Sequence, residues 1–126
     1  MKRGWIGFAL LLVLLAGGLG AAWGMDRCNS PIAGTLDRAA DAAMEENWSE
    51  AGQLAQKAEA DWKRCWKFNA CFADHEALEE IDSMLGQLEV YAKEKEEVSF
   101  ASTCIALSRM IRAVGEAHGL NWKNLL

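Results

Sequence analysis

One proline, one tyrosine and two histidines occur in 126 residues, and each scarcity excludes something. With Pro31 as the sole proline, no proline-rich linker divides the chain, so the part beyond the first two dozen residues reads as one domain. Nowhere do apolar and polar residues alternate over a β-branched run, which leaves no segment suited to a sheet. There is no glycine-rich phosphate loop, no Ser-His-Asp arrangement and no CxxC pair. Nucleotide hydrolysis, triad chemistry and thioredoxin-like exchange therefore lack sequence support. Paired catalytic carboxylates are missing too. The expectation is a protein that is not an enzyme and needs no cofactor. Positive charge is also in short supply. All eighteen acidic residues but only eleven of the thirteen basic ones lie after residue 25, which gives residues 26–126 a net charge of −7. Such a balance counts against nucleic acid or anionic lipid as a general partner, and nucleic acid is not an expected partner.

Apolar sequence is plentiful at the N-terminus. Lys2 and Arg3 precede an uncharged run over residues 4–25, and the first acid is Asp26. As a helix this run would reach roughly 33 Å, against about 30 Å for a hydrocarbon core. Trp5 and Trp23 bracket it, where indoles favour the lipid–water interface. The two cations predict a cytoplasmic N-terminus and an extracytoplasmic remainder. The stretch "AGGLGAA" suits a cleaved signal peptide as well, in which case the remainder would be secreted. The expected division is residues 1–25 as transmembrane anchor or signal peptide and residues 26–126 as an exported domain. Ala16, Gly20 and Gly24 recur every four residues, a spacing that lets two anchors pair as a homodimer.

Read by period, residues 26–126 are helical almost throughout. A first helix is expected over residues 31–46, with Ser30 as N-cap, Pro31 at the first helical position and an apolar stripe of Ile32, Leu36, Ala39, Ala40 and Ala43. A second runs over residues 48–72, where Trp48, Ala51, Ala55, Ala58, Trp62, Cys65 and Phe72 share a face and polar Asn69 fills a gap in it. Strict three-four spacing of Leu78, Ile81, Leu85, Leu88 and Ala92 marks a third over residues 74–95. Phe100, Cys104, Leu107, Ile111, Val114 and His118 mark a fourth over residues 99–117, with Gly119 suited to its C-cap. Connections of two to five residues make neighbours antiparallel. The prediction is an all-α fold: an N-terminal transmembrane or signal helix, then an up-down-up-down four-helix domain of two helical hairpins.

The stretch "CWKFNACFADHEALEEID", residues 65–82, looks most like chemistry. Helix directions bring Cys28, Cys71, His75 and His118 to one end of the bundle, beside Asp74, Glu76 and Glu116. Cys71, His75 and His118 are thus candidate zinc ligands or a thiol site, although their spacing matches no familiar ligand pattern. The plainer reading is a junction, in which Asp74 caps the third helix. An exported chain with four cysteines can form disulfides. Cys65 and Cys71 lie roughly 9 Å apart on an intact helix, beyond disulfide reach. Cys28–Cys71 and Cys28–Cys65 remain, and Cys104 reads as a small buried hydrophobe. In "DWKRCWKF", Lys63, Arg64 and Lys67 form a basic flank beside Trp62 and Trp66. This flank and the tail residues Trp122, Leu125 and Leu126 are candidate partner contacts.

The junction "ENWSEAGQLAQKA" resembles one tetratricopeptide-repeat hairpin, with no convincing second copy. More broadly, an N-terminal anchor followed by "NWSEA…W", "DHEALEEID", "LEVYAK" and a closing "LNWKNLL" resembles an uncharacterised family. Its members are small, single-pass, membrane-anchored helical proteins of Gram-positive, often spore-forming bacteria, grouped under a domain of unknown function. The resemblance implies location and architecture and marks Trp62, His75, Ile81, Asn124, Leu125 and Leu126 as signature positions. It brings no activity, cofactor or catalytic residue.

Together these observations predict a membrane-tethered, extracytoplasmic helical scaffold of the cell envelope that binds another envelope protein. The alternatives are a metal-binding or thiol-redox module using Cys71, His75 and His118, or a peptide-binding tetratricopeptide-like protein. The last requires an open concave groove.

Overall fold

Where the sequence pattern suggests an anchor, a break and a first domain helix, the computed structural model has one helix. It describes residues 2–125, apart from the side chains of residues 21, 22, 25, 72 and 115–125. α1 spans Lys2–Met44, 43 residues or roughly 65 Å at the helical rise. Pro31 lies in its interior, so Ser30 is not an N-cap and Pro31 is not a helix start. Proline there removes one intrahelical hydrogen bond, at a cost of about 3 kcal/mol. The helix survives because residues on both sides are held: Asn29, Ile32, Ala33 and Leu36 are buried, while Pro31 faces solvent. Tertiary packing overrides the local stop signal.

α2 (Trp48–Phe72), α3 (His75–Glu94) and α4 (Glu97–Leu125) complete the chain, with no strand among the described residues. The starts of α2 and α3 are chemically marked. Asn47 accepts a hydrogen bond from the Glu50 N–H and donates from Nδ2 to Glu50 Oε2, a reciprocal cap on α2. The Asp74 carboxylate accepts from the Glu76 N–H at 3.2 Å and caps α3, so the junction reading of this residue holds. Two of the turns use a left-handed residue that is not glycine, Glu46 (φ 61) and Lys95 (φ 54). Gly119 does not end α4, which continues as helix to Leu125.

The short connections make successive helices antiparallel, and contacts run α1–α2, α2–α3, α3–α4 and α4–α1. This closed ring is the expected all-α, two-hairpin architecture. The α1–α4 contact is the most extensive. Alanines 33, 39, 40, 42 and 43 of α1 and 51, 55 and 58 of α2 let these helices approach closely. Trp62, Leu78, Ile81, Leu85, Leu88, Phe100, Leu107 and Ile111 supply the bulk between them. The indole Nε1–H of Trp62 is buried with no acceptor among the described residues.

Two buried asparagines set the register of α1 against α2. Asn29 Nδ2 donates to Asn69 Oδ1 and Asn69 Nδ2 donates to Asn29 Oδ1, both at 2.9 Å. Paired, the amides satisfy each other; replacing one strands the other away from water. Asn69→Leu is expected to lower stability by about 1–3 kcal/mol, and the Asn29→Leu/Asn69→Leu double variant by less than the sum of the singles. Thermal melting of the full chain in detergent measures both. Additive losses would show that the pair is not coupled.

Candidate functional site at the base of the bundle

The end of the bundle from which the apolar part of α1 projects gathers most of the residues that the sequence singles out. α2 is fastened to α1 there in three places. The tip of the Phe68 ring sits so close to Gly24 that a Cβ at that glycine would lie 2.8 Å from it. One turn along α1, Cys28 is joined to Cys65 by a disulfide, with Cα atoms 6.1 Å apart. The Asn29–Asn69 pair lies beside it. Gly24, the third small residue in the anchor's four-residue series, is therefore occupied by an intrachain contact, whereas Gly17 and Gly20 have open space around them.

The disulfide is one of the two pairings that topology leaves open, and Cys71 remains a free, exposed thiol. Cys104 is free and fully buried. Burial, and then the negative charge of Asp37, push its thiol up to about 12. Asp37 also pairs with Arg112 at 2.8 Å, and Arg112 donates to Ser108 at 2.7 Å, which ties α4 to α1. His75 is exposed in the first turn of α3. The side chains of His118 and Glu116 lie outside the described residues. Among the described residues, no three metal-ligating side chains cluster closely enough to hold an ion.

The basic flank is partly neutralised by its own helix. Lys63 pairs with Glu59 at 3.3 Å, and Arg64 pairs with Asp61. Lys67 is exposed and has no ion-pair partner among the described residues. A neighbouring cation outside the sequence-predicted set, Arg27, lies over the face of Trp23 at 4.6 Å from the ring centroid. Its sequence signal is the i, i+4 spacing of Trp23 and Arg27. The tail candidates Trp122 and Leu125, by their side chains, and Leu126 altogether lie outside the described residues.

Two features bear on a peptide groove. Trp62 is sealed in the core and meets Trp66 edge-on at 6.1 Å, while half-buried Trp48 packs edge-on against Phe100 at 5.6 Å. The aromatic residues of the repeat-like hairpin are therefore spent on closing the bundle. A cleft of about 210 Å³ does open between α2 and α3, floored by Gly52, Ala55, Leu85 and Ala92 and rimmed by Glu59, Glu89 and Lys93. It exists because small residues face each other across this pair. Neither sequence period nor any motif announces it.

The cysteine chemistry is checkable by thiol titration. One thiol, Cys71, is expected to react rapidly in the folded chain, two after unfolding and four after reduction. Fast reaction of two thiols in the folded protein would contradict the burial of Cys104. Burial also has a pH consequence. An unfolded cysteine ionises near its ordinary 9.0, whereas folded Cys104 keeps its proton to about 12. Above pH 9 the unfolded chain binds fewer protons, so stability falls as pH rises. The slope from this group approaches about 1.4 kcal/mol per pH unit. Melting of wild type and Cys104→Ala at neutral and alkaline pH should show a shallower decline in the variant.

No curated protein and no solved structure matches the chain. Residues 25–125 match the family described as a domain of unknown function, DUF4363. This match begins where the uncharged N-terminal run ends and takes in the disulfide, the asparagine pair and all of α2, α3 and α4. The chain belongs to the DUF4363 family.

Proposed function

We propose that this chain is a membrane-tethered, extracytoplasmic scaffold of the bacterial envelope, with residues 1–25 as its anchor and residues 26–126 as a domain that binds another envelope protein. The observation that carries this reading is α1. Its Lys2–Gly20 part is long and apolar enough to cross a membrane and is left almost entirely uncovered by the rest of the chain. The same helix then continues without interruption into the bundle, where it packs against α2 and α4. A disulfide between Cys28 and Cys65 suits an oxidising compartment, in agreement with export of the domain. Lys2 and Arg3 favour a cytoplasmic N-terminus, and the resemblance to anchored proteins of Gram-positive bacteria agrees with that orientation.

Such a tether works by confinement. Holding the domain at the membrane raises its effective concentration toward partners in the same plane. A helical connection without a hinge also fixes the height and direction at which the bundle surface is presented. Within that surface, the pairing of Lys63 with Glu59 and of Arg64 with Asp61 leaves those two cations poorly suited to capture an acidic partner. The α2–α3 cleft and the exposed apolar side chains of Val90 and Val98 offer better protein contacts.

The orientation is testable through Cys71. In intact bacterial cells expressing the full chain, a membrane-impermeant maleimide is expected to label Cys71, and the Cys71→Ser chain to stay unlabelled. Labelling that appears only after the membrane is permeabilised would place the domain inside and end the proposal. Photo-crosslinking from positions in the α2–α3 cleft, read by mass spectrometry, would then identify the envelope protein it holds.

A further inference from the structure

The exposed cations at the base of the bundle share one face. α1 and α2 are antiparallel, and the residues that meet across their seam include Gly24 and Cys28 on α1 and Cys65 and Phe68 on α2. In an antiparallel pair, the residue just before each seam residue leaves on the same side, because each step rotates by about 100° and the two helices are traversed in opposite directions. Trp23 and Arg27 precede Gly24 and Cys28; Arg64 and Lys67 precede Cys65 and Phe68. All four are exposed. The opposite side of the seam carries the buried Asn29 and Asn69, in keeping with an outward direction for the four.

We propose that Trp23, Arg27 and Lys67, beside the Asp61-paired Arg64, form a seat for the headgroups of anionic phospholipids, which holds the base of the bundle against the membrane surface. This rests on the reading of α1 as a membrane anchor. Trp23 lies three residues beyond Gly20, about 5 Å along the helix and within a headgroup layer about 5–7 Å thick. The Arg27 backbone lies about 10 Å along, just outside that layer, and its long side chain spans the difference. Lys67 adjoins Phe68, whose ring touches Gly24, so its flexible stem reaches the same layer.

Charge supports the same occupant. The domain as a whole is at −7, yet among the described residues this face carries two exposed cations without an ion-pair partner, Arg27 and Lys67, beside the Arg64–Asp61 pair. Asp61 pairs with Arg64 and with Lys57, so it does not neutralise Arg27 or Lys67. Arg27 is held over the Trp23 ring, which leaves the edges of its guanidinium free to donate to phosphate oxygens. Trp23 sits at the depth where an indole is at home. A folded protein partner would have to enter the headgroup layer to reach this face, whereas lipid is already there.

Native mass spectrometry of the full chain, released from detergent containing equal phosphatidylglycerol and phosphatidylcholine, tests the seat. Wild type is expected to retain phosphatidylglycerol preferentially. The Arg27→Gln/Lys67→Gln variant should lose that preference by roughly thirtyfold, about fivefold or more for each surface cation. Lys93→Gln/Lys95→Gln removes the same charge at the opposite end and should leave the preference unchanged. A thiol count on each variant confirms that the disulfide has formed. Equal retention of the two lipids by wild type would overturn the seat, as would an equal loss in the Lys93/Lys95 variant. Displacement of the lipid by a soluble glycerol-phosphate polymer would assign the face to a wall polymer instead. A chain whose mass lacks residues 1–25 removes the anchor reading and the seat with it. An intact chain without lipid preference removes the seat alone.

Discussion

A helix that leaves an uncovered apolar stretch and enters a protein core must keep its backbone hydrogen bonds and present its apolar side in the right direction. α1, whose Lys2–Gly20 part is long and apolar enough to cross a membrane, does so without a break, and the rest of the fold is arranged around that continuity. Its rotational phase past Pro31 decides that Gly24 and Cys28 meet α2 while Ile32, Leu36, Ala39 and Ala43 enter the core. A kink or unwound turn at residue 31 would rotate one set relative to the other. The proline is tolerated because it lies on the exposed side and because Cys28 and Asn29 before it, and Ile32 and Leu36 after it, are anchored in packing. Those contacts are worth more than the hydrogen bond that proline removes.

The fastening of α2 to α1 combines devices with different physical roles. The disulfide closes a 37-residue separation and stabilises chiefly by restricting the unfolded chain, by about 2–4 kcal/mol. It does not by itself choose a register, since a side chain can swing. The reciprocal asparagine pair does, because sliding either helix would bury two amides without partners. The Gly24–Phe68 contact fixes the separation of the two helices at that height. Strength, register and spacing are thus supplied by separate residues within about two turns.

How legible all this is in the sequence depends on the range of the forces involved. The bounds of α2 and α3 follow from local chemistry: an Asn-Trp-Ser-Glu cap, an aspartate before His75, and unbroken three-four spacing of apolar residues. The core members of α3 and α4 follow from the same period. Two helix boundaries depart from expectation. Ser30-Pro31 and Gly119 are sound local boundary signals, but α1 and α4 each continue as helix through them, and at Pro31 the burial of Asn29, Ile32 and Leu36 holds the helix together. A helix taken to begin at residue 31 also hides the phase of Cys28 and Asn29. For that reason the sequence leaves the choice between Cys65 and Cys71 open, and it conceals the partner of Asn69 although the place of Asn69 in an apolar stripe is plain. The self-neutralised state of Lys63 and Arg64 is readable from the acids three and four residues earlier. That Lys67, which has Lys63 and Arg64 at those positions, has no ion-pair partner on its own helix is readable by the same rule.

Stability is unevenly distributed as a result. α1 is bound to α2 covalently and to α4 through its broadest apolar contact and the Asp37–Arg112 pair. α3 has neither kind of attachment among the described residues. It meets α2 across small residues that leave a cleft, and it meets α4 through a contact far smaller than that between α1 and α4. The Lys93–Glu89 ion pair on α3 lies within that helix and ties it to nothing else. Local opening follows the weakest packing, so α3 is the element able to shift while α1 and α2 stay fixed. The half of the bundle built on α1 and α2 is thus the rigid one, and the face that α3 presents is the adaptable one.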